Sequence, residues 1–275
     1  MRIIGALLTC LLFPATTQAA PSADLWEHWT AHDENSTATI DHAAWSDFLR
    51  AHVVPDPALG LNRVRYGAVS PADRKALDTY IRRLENVAIA DYSRPVQRAY
   101  WLNLYNAATV RLILEKYPVD SIRDIGGGLF GLGSNAWQQK LLTVDGKPLS
   151  LDDIEHRILR PIWGDGLTHY GVNCASVGCP NLRDSAYLGD RVNQQLRDNA
   201  RAYVNSRRGA RFDDGRLLVS KIYEWYQVDF GGSETGVISH LRRFAEPALS
   251  ARLDAAEGIA GYRYDWSLND AASAR

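Results

Sequence analysis

The sequence predicts an α+β protein in which a helical N-terminal half packs on a small, mainly antiparallel sheet. Three helical patterns follow one another before residue 117, and the rest of the chain holds short apolar runs separated by Asp-Gly turn signals. The 275 residues are 46% hydrophobic and include 8 Trp and 13 Tyr, which supports a substantial core. We therefore expect one large domain with an N-terminal extension.

The first 19 residues have the pattern of a secretory signal peptide. Arg2 supplies the positive charge, residues 3–13 are apolar, and Thr17-Gln18-Ala19 resembles a cleavage site. We expect the mature protein to start near Ala20 and to be periplasmic or secreted. No later stretch is long and apolar enough to span a bilayer, so no membrane insertion is expected after cleavage.

The charge balance argues against nucleic acid as a partner. The 31 Lys and Arg residues against 32 Asp and Glu residues give a formal net charge of −1, and the basic residues form no cluster. The expected partner is instead a small molecule or a peptide. No cofactor motif is recognised.

Residues 20–64 are predicted to form an extension with one helix, and residues 65–269 a single α+β domain. After a weakly patterned arm, Asp41 is placed to cap a helix, and Ser70-Pro71-Ala72-Asp73 begins a second one. Their apolar faces consist of Trp45, Phe48, Leu49 and Val53, and of Leu77, Tyr80, Ile81 and Leu84.

The third helix, roughly Pro95 to Lys116, is apolar almost all round and is therefore predicted to be central. Asn103 and Asn106 lie three residues apart on it and point the same way. We expect them to tie loop backbone to the core, with substrate binding by one of them as the alternative.

The second half is predicted from turn and capping signals. A Gly-rich loop at 126–133 lacks the context of a phosphate loop and is interpreted as a mobile loop or lid. The other predicted elements are a hairpin over 141–149, a short helix from Ser150 that ends before Pro161, a strand from about Thr168, a helix capped by Asp190, a hairpin around Asp214-Gly215, a helix from Ser233 and a strand from Tyr262 to Trp266.

The segment from His169 to Pro180 holds both cysteines that remain after cleavage. Cys174 follows the predicted strand and enters a run of small residues, where backbone N–H groups can face an oxyanion. It is a candidate nucleophile. The alternatives are a buried thiol or a disulfide with Cys179, because exported proteins meet an oxidising compartment.

Two histidines are candidate bases for Cys174. On a regular strand, His169 and Cys174 would point to opposite faces, so a pair between them needs a bulge or an early strand end. His156 lies at the edge of the buried stripe of the short helix.

Glu155 falls within that stripe, so its carboxylate must be paired, hydrogen-bonded or protonated. It is a candidate for acid–base catalysis or for orienting a histidine. A buried salt bridge, for instance to Arg160, is the structural alternative.

Further along, Trp225 and Asp229 belong to an aromatic and acidic cluster that serves either as core or as a pocket wall. A zinc site of Cys174, Cys179, His156 and His169 lacks a second matched ligand pair, so no metal is predicted.

Four blocks resemble secreted bacterial members of the family known as domain of unknown function 547: Tyr100–Ala107, Leu151–Arg160, His169–Pro180 and Tyr264–Asn269. The resemblance implies a distant papain-like or transglutaminase-like fold, in which Asn103 stands where a transglutaminase-like enzyme carries its nucleophile. An amide cannot serve there, so that ancestral site would be inactive. Plant relatives keep a residue like Cys174 but none like Cys179.

Two functions follow from these patterns. The first is a thiol-dependent hydrolase or transferase acting on an amide or thioester, with Cys174 as nucleophile, His156 or His169 as base, and Glu155 or Asn106 as orienting residue. The alternative is a non-catalytic binding module with a degenerate papain-like cleft that recognises a peptide or a small thiol compound.

Overall fold

Three helices form the first half of the fold, as the sequence predicts: α1 (Ala43–His52), α2 (Pro71–Glu85) and α3 (Arg94–Lys116). The Ser70 hydroxyl accepts the Asp73 N–H at 3.1 Å, with Pro71 at the first helical position. The computed structural model describes residues 22–126 and 135–273. The predicted signal peptide and most of the Gly-rich loop lie outside them.

Helix α3 is the centre of the larger core. Its side chains from Val96 to Leu114 are buried, with the single exception of the half-buried Arg111. The prediction of a central helix is therefore confirmed. Helix α2 packs beside it, and Trp29 of the N-terminal arm stands edge-on to Trp101 with ring centroids 5.0 Å apart. The arm is thus part of the packed structure.

A short antiparallel hairpin, β1 (Val53–Asp56) with β2 (Leu61–Val64), follows α1 and was not predicted. Its strands are four residues long, and Asn62-Arg63 interrupts any apolar alternation. The predicted hairpin β3 (Leu142–Val144) with β4 (Lys147–Leu149) is present.

The short helix was predicted to end before Pro161, and this is wrong. A π-helical segment (Asp153–Leu159) runs directly into α4 (Arg160–Trp163), so the helix continues through the proline. Proline cannot donate to the carbonyl four residues back, which is that of Arg157. The Trp26 N–H from the N-terminal arm bonds this carbonyl instead, at 3.0 Å.

The strand predicted from Thr168 is also wrong. Residues Gly166–Tyr170 form a 3₁₀ helix that begins where the Asp165 carboxylate accepts the Leu167 N–H, and residues 171–174 belong to no strand. The argument that His169 and Cys174 point to opposite faces therefore does not apply.

The remaining elements surround a second, smaller core that includes Tyr170, Tyr203, Tyr223 and Phe230. In chain order they are α5 (Val192–Val204), β5 (Ala210–Asp213), β6 (Arg216–Ser220), α6 (Ile222–Trp225), α7 (Glu234–Arg242), α8 (Pro247–Asp254) and β7 (Ile259–Arg263).

Two predicted boundaries in this part need correction. Helix α5 begins after Arg191, without a side-chain cap from Asp190. The last strand covers residues 259–263 rather than Tyr262 to Trp266, and it pairs in parallel with β6. The order in this sheet is β5-β6-β7, and the two other sheets found among the described residues are antiparallel hairpins, so the α+β class is confirmed. No helix within the described ranges is both long and apolar enough to cross a bilayer.

Candidate functional site

Both sulfurs of the cysteine segment lie in one hydrogen-bonded group, which we call the cysteine cluster: Cys174, Ser176, Cys179 and Tyr264. Cys174 Sγ lies 3.2 Å from Ser176 Oγ and 3.1 Å from Tyr264 OH. Cys179 Sγ accepts the Cys174 N–H at 3.0 Å and the Tyr264 OH at 3.2 Å. Both cysteines are free thiols; Cys179 is buried and Cys174 is partly exposed. The disulfide stays a prediction.

The loop that carries these thiols is fixed by its own backbone and by the segment 265–269. Ala175 has a left-handed φ of 59°, and the Asn173 carboxamide accepts its N–H at 2.9 Å. Val177 and Gly178 donate to the carbonyls of residues 267 and 265, each at 2.8 Å. A Cβ at Gly178 would lie 2.9 Å from the residue 265 backbone, so this position accepts no side chain without a shift.

The expected oxyanion-binding N–H groups are largely in use. Partners within the protein take the N–H groups of Cys174, Ala175, Val177, Gly178 and Cys179. The loop therefore offers fewer free backbone donors than the sequence indicates.

The surroundings shift the pKa values of the two thiols in opposite directions. Burial opposes ionisation of Cys179, but the hydrogen bonds from Cys174 and Tyr264 lower its pKa to about 7. Burial, together with the neighbouring Cys179 sulfur, raises the pKa of Cys174 well above its ordinary value. These shifts favour ionisation of Cys179 over ionisation of Cys174.

A second polar group, the charged cluster, consists of Glu155, Arg160, His169 and Asp229. His169 Nε2 lies 2.7 Å from Asp229 Oδ2, and its Nδ1 lies 3.5 Å from Glu155 Oε1. Arg160 Nε donates to the same Asp229 oxygen at 2.7 Å. Tyr105 OH on α3 donates to Glu155 at 3.2 Å. The carboxylate of Glu155 is buried and paired, as the sequence predicts. Its partner is the His169 ring.

This cluster is ionised and self-neutralising. Burial lowers the pKa of His169, but the two carboxylates outweigh it and raise that pKa. Burial also opposes ionisation of Glu155 and Asp229, yet the neighbouring positive charges and the His169 hydrogen bonds lower both pKa values to about 2. Carboxylates face both ring nitrogens of His169 and favour its imidazolium form, which has no free nitrogen to take up a proton.

His156 is in a different state. Its Nδ1 accepts from Arg160 at 3.2 Å, which requires a neutral ring, and its Nε2 lies 3.7 Å from Asp152. Burial lowers the pKa of His156 accordingly. Throughout the part of the chain that the structure describes, no imidazole nitrogen hydrogen-bonds to either cysteine sulfur.

Two tyrosines lie in electrostatic range of both clusters. Burial raises the pKa of Tyr105 and of Tyr226, and the neighbouring Glu155 and Cys174 side chains raise both further. The Tyr226 ring also stacks on His169 with centroids 4.1 Å apart. The thiols and the histidines are therefore neighbours without direct contact.

The carboxamides of Asn103 and Asn106 hydrogen-bond to backbone groups of neighbouring loops. Asn103 donates to the Tyr187 carbonyl at 2.8 Å and accepts the Tyr187 N–H at 2.9 Å. Asn106 donates to the Gly171 carbonyl and accepts the Asn173 N–H, both at 2.8 Å. The NH2 group and the oxygen of each carboxamide thus have partners inside the protein. Both asparagines therefore connect loops to α3.

Trp225 and Asp229 belong to different surroundings. Asp229 completes the charged cluster, whereas the partly exposed Trp225 packs on Tyr264 and Trp266 with centroids 4.9 and 5.5 Å away. Trp137 stands edge-on to Trp266 at 5.8 Å. These rings form a partly exposed aromatic surface next to the cysteine cluster.

The site residues that sequence reasoning missed are Ser176 and Tyr264. Ser176 lies two residues from Cys174, so its proximity was visible in the sequence. Tyr264 is 90 residues away, and no local pattern connects it with the thiols. Among the described residues, no group of three or more His, Cys, Asp or Glu side chains is arranged to hold a metal ion.

Comparison with known proteins identifies a family that covers part of this chain. The family described as "Protein of unknown function, DUF547" matches residues 89–204, which include α3, the π-helical segment and both cysteines. No curated protein and no solved structure matches the chain. Residues 89–204 of this chain are therefore a DUF547 domain.

Proposed function

We propose that the protein is a thiol-dependent transferase or hydrolase that attacks a thioester with Cys174. The observation that carries this proposal is the cysteine cluster itself. A partly exposed sulfur contacts two hydroxyl groups, at 3.1 and 3.2 Å, that can stabilise its thiolate, and a second thiol lies beside it.

The geometry favours a thioester over an amide as the substrate. When a thiolate attacks an amide, the departing amine needs a proton, which an imidazole normally supplies. Here no imidazole nitrogen of the described residues bonds to Cys174. A thioester releases a thiolate, which is a good leaving group and needs no proton.

The proposed step exchanges one thioester for another. The Cys174 thiolate attacks the carbonyl carbon, the substrate's carbon–sulfur bond breaks, and the electron pair leaves with the substrate sulfur. The acyl group is then bound to Cys174. Water releases it as a carboxylic acid in a hydrolase, and a second nucleophile takes it over in a transferase.

The charged cluster supports the site from a distance. His169 and His156, the predicted bases, are held by Asp229 and Arg160 respectively. We therefore assign these residues a positioning role: they join the π-helical segment, the 3₁₀ helix at 166–170 and the turn at 227–230.

A non-catalytic binding module is the second candidate, and one observation favours it. The N–H groups of the cysteine loop are engaged within the protein, which weakens stabilisation of an oxyanion. In that case the partly exposed aromatic surface and the thiols would recognise a peptide or a small thiol compound. Binding without turnover distinguishes this function from the first.

The test is the consumption of S-acetyl-N-acetylcysteamine, followed by the loss of thioester absorbance. We expect the reduced protein to accelerate this reaction and Cys174→Ser to lower kcat/KM by roughly 100-fold or more. A melting temperature of Cys174→Ser equal to that of the wild type shows that the variant is folded. Equal rates for the two proteins, or none above buffer, would contradict the proposal.

We also propose that the protein acts outside the cytoplasm after cleavage near Ala20. The support is the signal-like pattern of residues 1–19. N-terminal sequencing of the exported chain tests this, and an intact Met1 terminus on cytoplasmic protein would contradict it.

A further inference from the structure

We propose that Cys179, as a thiolate, is the proton acceptor that activates Cys174. This inference rests on the proposed function, because it supplies the base that a Cys174 nucleophile needs. Two thiols would then take the place of the usual thiol and imidazole.

The surroundings of Cys179 are those of an anion. Its sulfur accepts the Cys174 N–H at 3.0 Å and the Tyr264 hydroxyl at 3.2 Å. The Arg208 guanidinium bonds to the Cys179 carbonyl oxygen and lies in electrostatic contact with the side chain. Two donors and one positive charge around a buried sulfur stabilise its ionised form.

The surroundings of Cys174 are those of the attacking group. Cys179 is only 5% exposed, whereas Cys174 is the more accessible of the two. Ser176 and Tyr264 hydroxyls lie 3.2 and 3.1 Å from the Cys174 sulfur. They can donate to it once its proton has gone.

The step is a single proton transfer with no change of oxidation state. The Cys174 thiol gives its proton to the Cys179 thiolate, and the S–H bond formed on Cys179 replaces the one broken on Cys174. The net charge of the pair stays the same. The lowered pKa of Cys179, about 7, makes its thiolate present at neutral pH and still basic enough to take up a proton.

Other ionisable groups around the pair are mostly neutral tyrosines. The titratable and charged groups in electrostatic contact with the two sulfurs are Tyr66, Tyr105, Tyr203, Arg208, Tyr226 and Tyr264. Burial raises the pKa of each of these tyrosines, so none competes as a base near neutral pH.

The test is the alkylation of the reduced protein by iodoacetamide across pH, with the modified cysteine located by peptide mass spectrometry. In the wild type we expect the alkylation rate of Cys174 to rise first with a midpoint near pH 7, where Cys179 ionises and becomes able to accept the Cys174 proton. In Cys179→Ser the midpoint should rise to 9 or above, the ordinary or raised range of a lone thiol.

Serine is the decisive replacement because it keeps what a structural role needs. Its hydroxyl accepts the same two hydrogen bonds but does not ionise near neutral pH. A Cys179→Ser protein that is alkylated like the wild type would overturn the proposal, and so would preferential alkylation of Cys179 in the wild type. Gln194→Leu on the exposed face of α5, outside the cysteine cluster, is the control, and its midpoint should stay near that of the wild type.

This readout separates the two proposals because it needs no substrate. A shifted midpoint without thioester turnover supports the thiol pair and contradicts the proposed enzyme. Turnover with an unshifted midpoint supports the enzyme and contradicts the role of Cys179.

Discussion

Asn106 illustrates how single buried amides hold the cysteine loop in place. From the central helix its carboxamide binds the Gly171 carbonyl and the Asn173 N–H. Asn173 in turn donates to the Pro180 carbonyl at 2.7 Å and accepts the Ala175 N–H. Two asparagines thus satisfy backbone groups of a segment that has no strand or helix to do so.

Replacing Asn106 with leucine should destabilise the protein strongly. The change leaves a buried carbonyl and a buried N–H without partners, which costs about 2–5 kcal/mol in the free energy of unfolding. Denaturant unfolding measures this cost. Gln194→Leu on the exposed face of α5 is the control, with an expected effect of about 0.5 kcal/mol or less. Similar stabilities for the two variants would contradict the assigned role.

Particular side chains show how far the sequence could predict the site. Glu155 fell on an apolar stripe, which correctly indicated a buried, paired carboxylate. The alternation of Tyr170, Val172 and Cys174 indicated a strand, but Asn106 on a distant helix fixes that backbone instead. Partners far away in sequence, such as Tyr264 for Cys174, leave no local pattern.

At the scale of elements, the N-terminal arm completes the π-helical segment. The N–H groups of Asp24 and Trp26 bond to the carbonyls of His156 and Arg157, at 2.9 and 3.0 Å. The Arg157 guanidinium also lies 4.4 Å from the centre of the Trp26 ring. No local signal could predict a helix that continues through Pro161, because the compensating donors come from the arm.

Shortening the arm tests this contribution. A chain that begins at Glu27 loses both donors and the Trp26 ring, while a control chain that begins at Ala23 keeps them. We expect the shorter chain to lose about 1–3 kcal/mol in the free energy of unfolding, from two hydrogen bonds and the ring contact. Equal unfolding midpoints for the two chains would show that the arm does not stabilise the helix.

At the scale of the whole molecule, the C-terminal part completes both clusters. The family match ends at residue 204, whereas Asp229 and Tyr264 come from beyond it. Each cluster therefore depends on the packing of the smaller core against α3 and its neighbours. The α+β class could be predicted because it depends on the kinds of elements, whereas the parallel pairing of β6 with β7 brings together residues about 40 positions apart.

Buried neutral histidines should make the fold sensitive to acid. Burial lowers the pKa of His42 and of His240 to about 4. The unfolded chain binds protons on these rings at higher pH than the folded one, so stability falls as the pH drops from about 6.5 toward 4. Glu155 and Asp229 add a further loss below about 4.5, because their folded pKa values are about 2.

His240→Gln isolates one part of this effect. The glutamine amide can still bond to Tyr170, which lies 2.9 Å from the His240 ring nitrogen, but it does not titrate. Between pH 7 and 4.5 we expect the variant to lose about 2 kcal/mol less stability than the wild type. Denaturant unfolding at both pH values gives the difference, and parallel losses would contradict a neutral buried His240.

Intact-protein mass spectrometry tests most directly whether Cys174 accepts an acyl group from a thioester. Reduced protein mixed with S-acetyl-N-acetylcysteamine and quenched in acid should gain the mass of one acetyl group. Peptide mapping should place that group on Cys174, and Cys174→Ser should show none. An unmodified wild-type protein whose thiols are demonstrably reduced, or an acetyl group on another residue, would contradict the account.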